Sequence, residues 1–574
     1  MTRALIIATG RTADGPDPGP TAALPYGADP EAPTLLTRLC HRLVTLNVPD
    51  LYVITRPDLA PQLRKDGHDV IECTDLAADL REIARLVRAP AGPDDRGVPI
   101  VLLPGDLVAS DELLCRLIID ARGPATAITT PLPTAPGTPN APDTDHGTTN
   151  ATRSGNTSND DDVGGGGASG GRGVRGGSVG GGASGGGLGY GVAAVRLDGG
   201  RVASAGSPFH LVTGADAGSP GALRVGRRHA AAFAALAERL AALVDGPGAS
   251  RRPGAGPGAL RRFGAGRHRA AEAAELLLVG LVRTGVPVRA CPAGPLACLR
   301  VGGEAAALAA RRAVEAVDEN RVRLAAAVKP DDAPFATYAV STYSPHLVRW
   351  AAWWGLSPNA VTSVSAGTGL LAAVWFSDGT RTGMIAGALL LYTSFVLDCV
   401  DGQLARYTRA ESAFGAWLDV LSDRVKESAV YAGLAVGALA AAPGSPVYAG
   451  DVWGLAVAAV ALLAVRHLAD LSFAARHRPR AVGPPASFPL TARPDGALVG
   501  RLPAAVRLSR RTSRSAVLHR LKKAVVLPVG ERFALISVTA AVGDARLTFT
   551  ALIAWGAVAA AYTVTGRVMR SVPR

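Results

Sequence analysis

Residues 398–423 read Asp398-Cys399-Val400-Asp401-Gly402-Gln403-Leu404-Ala405-Arg406, eight further residues, and then Gly415-Ala416-Trp417-Leu418-Asp419-Val420-Leu421-Ser422-Asp423. Four acids lie among long apolar segments, at spacings of three, eighteen and four. Asp398 and Asp401 are i,i+3 and Asp419 and Asp423 are i,i+4, so each pair shares one helix face. An acid inside a membrane segment is costly enough that function is its default explanation. Four facing carboxylates repel one another unless they are protonated or recruit cations. Hard divalent ions suit all-carboxylate sites, and a pair of them can hold both oxygens of a phosphoryl displacement. The small residues Gly402, Ala405 and Gly415 leave room for a bulky ligand against the backbone, and Arg406 adds a planar cation suited to phosphate. The competing reading is an acidic loop between membrane helices, which leaves the small residues and the periodicity unexplained.

The flanking sequence is that of a membrane protein. Leu356–Ser377, Thr382–Leu397, Ser428–Gly450, Val452–Val465, Phe533–Gly543 and Leu547–Gly566 carry no charge. Some are shorter than the ~20 residues of a spanning helix but extend through amphipathic flanks. The expected C-terminal domain, 356–574, is therefore all-α with six transmembrane helices. Ahead of it, residues 334–355 mix Tyr338, Tyr343, Trp350, Trp353 and Trp354 with Arg349, as an amphipathic helix lying along the headgroups does. The connection Arg476–Lys523 holds twelve Lys or Arg against Asp495 alone. By the positive-inside tendency that connection, the acid cluster and the N-terminal half face the cytoplasm, and the chain is a multi-pass protein of the cell (inner) membrane. Arg466 and Asp470, i,i+4, read either as a structural ion pair or as a substrate contact.

The first half is of another kind. Ala4–Ala8, Leu51–Thr55, Asp69–Cys73 and Pro99–Leu103 read as buried strands, and Leu35–Leu46, Leu76–Val87 and Asp111–Ala121 as the helices between them. This alternation argues for an α/β sheet with helices on both faces. Residues 131–187 turn to Pro, Thr, Asn and Asp and then to almost continuous Gly and Ser. Such composition cannot bury enough apolar surface to order itself and reads as an insertion. Residues 246–267 form a second Gly/Pro/Arg linker. Leu188–Val212 regains strand character, and Ala230–Val244, Ala270–Arg283 and Glu304–Val328 read as helices. The α/β domain is thus expected over 1–130 and 188–328.

Composition narrows the classes. The net charge is +13, but Arg outnumbers Lys 55 to 5, which marks a GC-rich genome and weakens arguments from Arg abundance. No zinc-finger, basic-zipper or aromatic RNA-binding pattern occurs, so nucleic acid is not an expected partner. Six cysteines without metal-type spacing (40, 73, 115, 291, 298 and 399) read as reduced thiols. The opening Met1–Gly10 has too short an apolar run for a secretory signal.

The string Asp398-x2-Asp401-Gly402-x2-Ala405-Arg406-x8-Gly415-x3-Asp419-x3-Asp423 resembles the signature of the CDP-alcohol phosphotransferase (CDP-alcohol phosphatidyltransferase) family, with every motif position filled. That family moves a phosphoalcohol from a CDP-alcohol to the hydroxyl of a second alcohol and releases CMP. The resemblance implies Mg²⁺ or Mn²⁺, as two ions, with Asp398, Asp401 and Asp419 as ligands and Asp423 as general base and shared ligand. It further implies nucleotide contacts from Gly402, Ala405, Arg406 and Gly415, a homodimer, and a lipid or polyol-phosphate acceptor. Ser357-Pro358-Asn359-Ala360-Val361-Thr362 resembles the family's entry to its first membrane helix. It makes Asn359 and Thr362 candidate nucleotide contacts, although Ser357-Pro358 is also an ordinary helix start. Lys522, Lys523 and Gly530-Glu531-Arg532 lie where inositol-phosphate-using members carry a related stretch. Arg424 and Lys426, within a turn of the last acid, are candidate contacts for an acceptor phosphate.

A soluble α/β half ahead of this domain resembles the fused inositol-1-phosphate cytidylyltransferase/di-myo-inositol phosphate phosphate synthase proteins, whose first domain makes the CDP-alcohol that the second consumes. That resemblance implies a nucleotidyltransferase-like first domain with a Gly-rich loop after strand one. Thr9-Gly10-Arg11-Thr12-Ala13-Asp14-Gly15 is a thin version of such a loop. Asp106 in Pro104-Gly105-Asp106 is the candidate metal-binding acid, while Leu299-Arg300-Val301-Gly302-Gly303-Glu304 has Gly302 where a second acid is expected. A degenerate domain is the reading this favours. A bifunctional enzyme that also makes its donor from CTP, and a non-enzymatic metal-binding membrane protein, are the rivals.

Overall fold

Strands with no alternating polar face, Arg3–Ala8 (apolar after Arg3) and Ile100–Pro104, are buried along their whole length. This is the mark of a parallel sheet covered on both faces. A computed structural model describes residues 2–12, 18–29, 31–90, 97–132, 190–245, 272–329, 334–441, 446–476, 525–526 and 528–571. Nearly all of the 131–187 insertion, the 246–267 linker, most of the Arg476–Lys523 connection, Lys522 and Lys523 lie outside the described residues. The chain forms two compact units, Met1–Glu315 and Ala316–Arg574.

In the first unit the strands are β1 Arg3–Ala8, β2 Asp50–Thr55, β3 Val70–Glu72, β4 Ile100–Pro104, β5 Leu107–Ala109, β6 Ala125–Pro131, β7 Ala193–Asp198, β8 Arg201–Ala205, β9 Ala217–Ser219, β10 Leu223–Val225, β11 Val288–Pro292 and β12 Cys298–Arg300. The helices are α1 Leu35–Thr45, α2 Ala60–Lys65, α3 Leu76–Arg88, α4 Asp111–Cys115, α5 Ala230–Asp245, α6 Ala273–Arg283 and α7 Glu304–Glu315. The large sheet runs β3-β2-β1-β4-β10-β6. β10 is antiparallel to both its neighbours, and β1 pairs in parallel with β2 on one side and β4 on the other. β1 is therefore the topological switch point, where open α/β sheets bind ligands beyond the carboxyl ends of their strands. Helices α3, α5 and α6 bury Leu80, Ile83, Phe233, Leu236 and Leu277 on one face of the sheet. Leu35, Val301, Ala307 and Ala310 pack together with Val108 in a smaller cluster.

The second unit contains α8 Glu319–Ala327, α9 Ser344–Trp353, α10 Pro358–Ser377, α11 Arg381–Thr408, α12 Ala413–Ala441, α13 Pro446–Arg476, α14 Val529–Val542 and α15 Ala545–Ser571. The single helix expected over Glu304–Val328 is two, because Asp318 caps a new one: its carboxylate accepts from the Arg321 backbone N–H at 3.0 Å. Within 334–355 the helix is broken in two, a π-helical turn over Ala336–Val340 and then α9. Gly355, at φ +66°, ends it, and Trp350, Trp353 and Trp354 stand exposed along its last turns. Among the described residues, three helices are long and apolar enough to cross a membrane: Pro358–Ser377, Arg381–Thr408 and Ala545–Thr565. α12 is longer than any of these, but Asp419, Asp423, Arg424, Lys426 and Glu427 crowd its first half.

α10 packs against both α11 and α12. Two glycines of α12 make this contact close. A Cβ on Gly433 would fall 2.2 Å from the Ala373 carbonyl oxygen, and one on Gly437 would fall 2.1 Å from that of Phe376. Small residues of this kind bring membrane helices together without a hydrophobic driving force. α10 and α11 are also clasped reciprocally: Ser365 Oγ donates to the Ser394 carbonyl at 2.8 Å, and Ser394 Oγ to that of Ser365 at 2.7 Å.

Candidate active site

The close approach of α10, α11 and α12 brings the four acids together. Asp398 and Asp401 project from α11, and Asp419 and Asp423 from the start of α12. One carboxylate oxygen from each of Asp398, Asp401 and Asp419 lies within 4.8 Å of the other two. That set, oxygen-only and closely spaced, fits a hard divalent ion. Asp401 is the buried member, and Thr362 of α10 has its Oγ1 2.5 Å from the Asp401 Oδ2. The same hydroxyl stands 3.1 Å from the Pro358 carbonyl one turn back along α10, a second acceptor for its one proton.

Asp423 has a different neighbour. Its Oδ1 lies 3.1 Å from the Nζ of Lys426, an ion pair too bent for a directed hydrogen bond. The same ammonium donates to Asp398 Oδ1 at 2.6 Å and to Ser365 Oγ at 3.2 Å. Lys426 is wholly buried. This corrects its expected role: an ammonium enclosed by two carboxylates and a hydroxyl is not open to an acceptor phosphate. Arg424, two residues before Lys426 in α12, is exposed.

The small residues do what their size allows. A Cβ on Gly415 would come 2.8 Å from Asn359 Oδ1, so Gly415 lets the start of α10 lie against α12. A Cβ on Gly402 would meet only Arg406, at 3.5 Å, which leaves that face of α11 open to a ligand. Ala405 and Arg406 are half-buried, and Arg406 Nε donates to the Ala327 carbonyl at 2.5 Å. Ser357 caps α10, accepting from the Ala360 N–H at 3.2 Å, so the Ser-Pro start is structural, while Thr362 reaches Asp401 and Asn359 lies against Gly415.

Two further features of this unit bear on the site, one of them in the Gly530-Glu531-Arg532 stretch. Arg532 of α14 pairs inside the unit with Glu427 of α12, Nη2 to Oε2 at 3.1 Å, and the Tyr431 hydroxyl donates to the same carboxylate at 3.1 Å. Arg532 is thus a structural partner of α12. A cavity of about 730 Å³ lies beside the end of α11, lined by Arg323, His346, Arg349, Trp350, Trp353 and Tyr407. Arg323 stacks on Tyr407, 4.4 Å from the ring centre.

In the first unit Asp106 follows β4 at the switch point, as expected of a metal-binding acid, but both its oxygens are taken. Arg300 of β12 donates to it through Nε and, at 3.1 Å, through Nη2, and Thr21 Oγ1 donates at 3.0 Å. Arg300 also bridges Glu272 at 2.9 and 3.0 Å and reaches the Gly191 carbonyl at 3.1 Å. Burial pulls the Arg300 guanidinium down, yet Asp106 and Glu272 outweigh it and raise it further above its ordinary range. Burial, with Asp106 nearby, pushes the Tyr190 phenol up to about 12. A Cβ on Gly10 would meet Thr21 Oγ1 at 2.5 Å and Asp106 Oδ2 at 2.9 Å. The position between two carboxylates that a divalent ion would take is filled by a side chain of the protein, so the residues present do not fit a metal.

Comparison with known proteins agrees with the site in the second unit. Residues 355–492, which contain all four acids, match the family model described as CDP-alcohol phosphatidyltransferase. Over that stretch the second unit is similar to CDP-alcohol phosphatidyltransferases. Similar relatives include an archaetidylinositol phosphate synthase of Pyrococcus horikoshii, 36% identical over 85 residues, and a phosphatidylinositol phosphate synthase of Mycobacterium marinum, 33% identical over 104 residues. These matches cover 15% and 18% of this chain and only 44% and 43% of the relatives' own length. Among solved structures, the inositol-1-phosphate CTP transferase from T. maritima covers 55% of this chain and 96% of its own, at 9% identity and a TM-score of 0.28. A putative glucose-1-phosphate thymidylyltransferase from Bacillus anthracis covers 55% and 97%, at 10% identity and a TM-score of 0.29.

Proposed function

We propose that the second unit transfers a phosphoalcohol group from a CDP-alcohol to the hydroxyl of an acceptor alcohol and releases CMP. The observation that carries this reading is the convergence of Asp398, Asp401 and Asp419 beside an open small-residue face of α11. Those three acids would hold Mg²⁺ or Mn²⁺, which when bound neutralises the diphosphate and the departing CMP. Gly402 and Ala405 give the nucleotide its bed, and Asn359 and Arg406 line it. Asp423 accepts the proton of the acceptor hydroxyl as its oxygen attacks. A new P–O ester bond forms, the bond between the transferred phosphorus and the bridging oxygen breaks, and that oxygen leaves with CMP. A positioned base of this kind contributes roughly 10²–10⁴-fold.

The acceptor is proposed to be a lipid or a polyol phosphate. Arg323, Arg349 and His346 in the 730 Å³ cavity support an anionic group there, with exposed Arg424 as a further cation. The twelve basic residues of Arg476–Lys523 support a cytoplasmic active site in the inner membrane, with α10 to α15 as six spans. A homodimer is proposed on family resemblance.

For the first unit we propose a nucleotidyltransferase-like ancestry without nucleotidyl transfer, because Arg300 engages the carboxylate such chemistry needs for a metal. Membranes containing the protein, incubated with radiolabelled CDP-alcohols, test the main reading. Labelled lipid or water-soluble product with matching CMP supports it, and its absence with every donor and acceptor pair tried contradicts it.

A further inference from the structure

Lys426 is an unusual residue to find among metal-binding acids. Its side chain is 0% exposed, and its Nζ has three neighbours, Asp398 Oδ1 at 2.6 Å, Asp423 Oδ1 at 3.1 Å and Ser365 Oγ at 3.2 Å. Of the three protons an ammonium can donate, two go to Asp398 and Ser365, and the Asp423 carboxylate adds an ion pair on a third side. The helix packing is shaped around the stem. A Cβ on Gly369 would lie 2.8 Å from Lys426 Cγ and 2.9 Å from Cδ, so only glycine there lets the chain pass between α10 and α12. The ring of Phe533 closes the far side, 5.8 Å from Nζ. This is a built enclosure for one positive charge.

The acids divide accordingly. Among the described residues, the group able to hold a metal ion is Asp398, Asp401 and Asp419. Asp423, expected as the ligand shared between two ions, faces the ammonium instead. Asp398 belongs to both sets, with one oxygen already 2.6 Å from Nζ. A second divalent ion between Asp398 and Asp423 would have to share that space with a buried like charge, with little water to screen the repulsion.

We infer that Lys426 supplies the second positive charge of this centre, so that the site takes one divalent ion where two carboxylate-bridged ions would otherwise bind. The inference rests on the proposed phosphotransferase reading and refines it. Lys426 is a positioning residue: it holds Asp423 and Asp398 in place and does not touch the reacting atoms.

The test is a count of bound metal. The full-length protein in detergent is loaded with Mn²⁺ and freed of excess, and Mn is measured per chain and by electron paramagnetic resonance. An Asp401→Asn/Asp419→Asn double variant supplies the background. The expected result is one ion above background in the unmodified protein, with the signal of an isolated Mn²⁺. Lys426→Met, which removes the charge but keeps the apolar stem, is expected to take up two ions with a spin-coupled signal. Lys426→Arg is expected to stay at one. Two ions in the unmodified protein overturn the inference, as does a folded Lys426→Met that still binds one. The count on the unmodified protein decides the matter even where Lys426→Met does not fold. No ion above background in the unmodified protein would overturn the metal centre itself, and the phosphotransferase reading with it.

Discussion

The hydroxyl of Thr362, in the first turns of α10, lies 2.5 Å from Oδ2 of Asp401, thirty-nine residues along the chain in α11. A residue expected to touch nucleotide thus orients a carboxylate proposed to hold the metal. Partners of this kind are worth roughly 10–100-fold in metal affinity. Thr362→Val, nearly the same shape without the donor, is expected to weaken Mn²⁺ binding by about that factor and leave the helices intact. Thr362→Ser is expected to bind as the parent does. Mn²⁺ titrations of the three proteins check it.

Asp423→Asn keeps the volume of the side chain and removes its basicity. The variant is expected to insert and fold normally, to bind Mn²⁺, and to lose roughly 10²–10⁴-fold in turnover. CMP release in detergent at saturating donor is the measurement. Near-parental release would remove Asp423 from the role of base.

The Asp106–Arg300–Glu272 network makes a separate prediction for the first unit. Removing one partner of a buried ionic cluster leaves uncompensated charge and costs about 3–5 kcal/mol. Arg300→Ala is expected to destabilise that unit by such an amount, seen as an earlier thermal transition. The unmodified protein given CTP, Mg²⁺ and a phosphorylated polyol is expected to form no pyrophosphate. Stoichiometric pyrophosphate would restore the bifunctional reading.

Gly433 of α12 is expected to tolerate nothing larger. The Ala373 carbonyl stands 2.2 Å from where a Cβ would be, and Gly433→Ala must push α10 and α12 apart. Overpacking costs typically about 1–3 kcal/mol. A lower unfolding temperature in detergent is the expected outcome.

What was legible beforehand follows physical lines. β4, and β1 after Arg3, are apolar throughout because helices or loops cover both faces, and such runs announce themselves. β10 and β12 do not: each is three residues long, shows no period, and owes its place to its neighbours in the sheet. The four acids could be read as two pairs because i,i+3 and i,i+4 spacings are local properties of a helix. Which acid meets which partner depends on how α10, α11 and α12 cross. For that reason the Thr362–Asp401 bond, the Lys426 enclosure around Gly369 and the Glu427–Arg532 pair had no local signal. The break at Asp318 did have one, an acid three residues ahead of the amide it caps.

The most direct check of the phosphotransferase reading is metal-dependent CMP release by the purified protein. The protein is stripped with chelator, given a CDP-alcohol and acceptor shown to support labelled product in membranes, and resupplied with Mn²⁺. CMP should appear only after resupply, in step with product, and not at all with Asp401→Asn. Equal release from stripped protein, or from Asp401→Asn, would contradict a reaction centred on Asp398, Asp401 and Asp419.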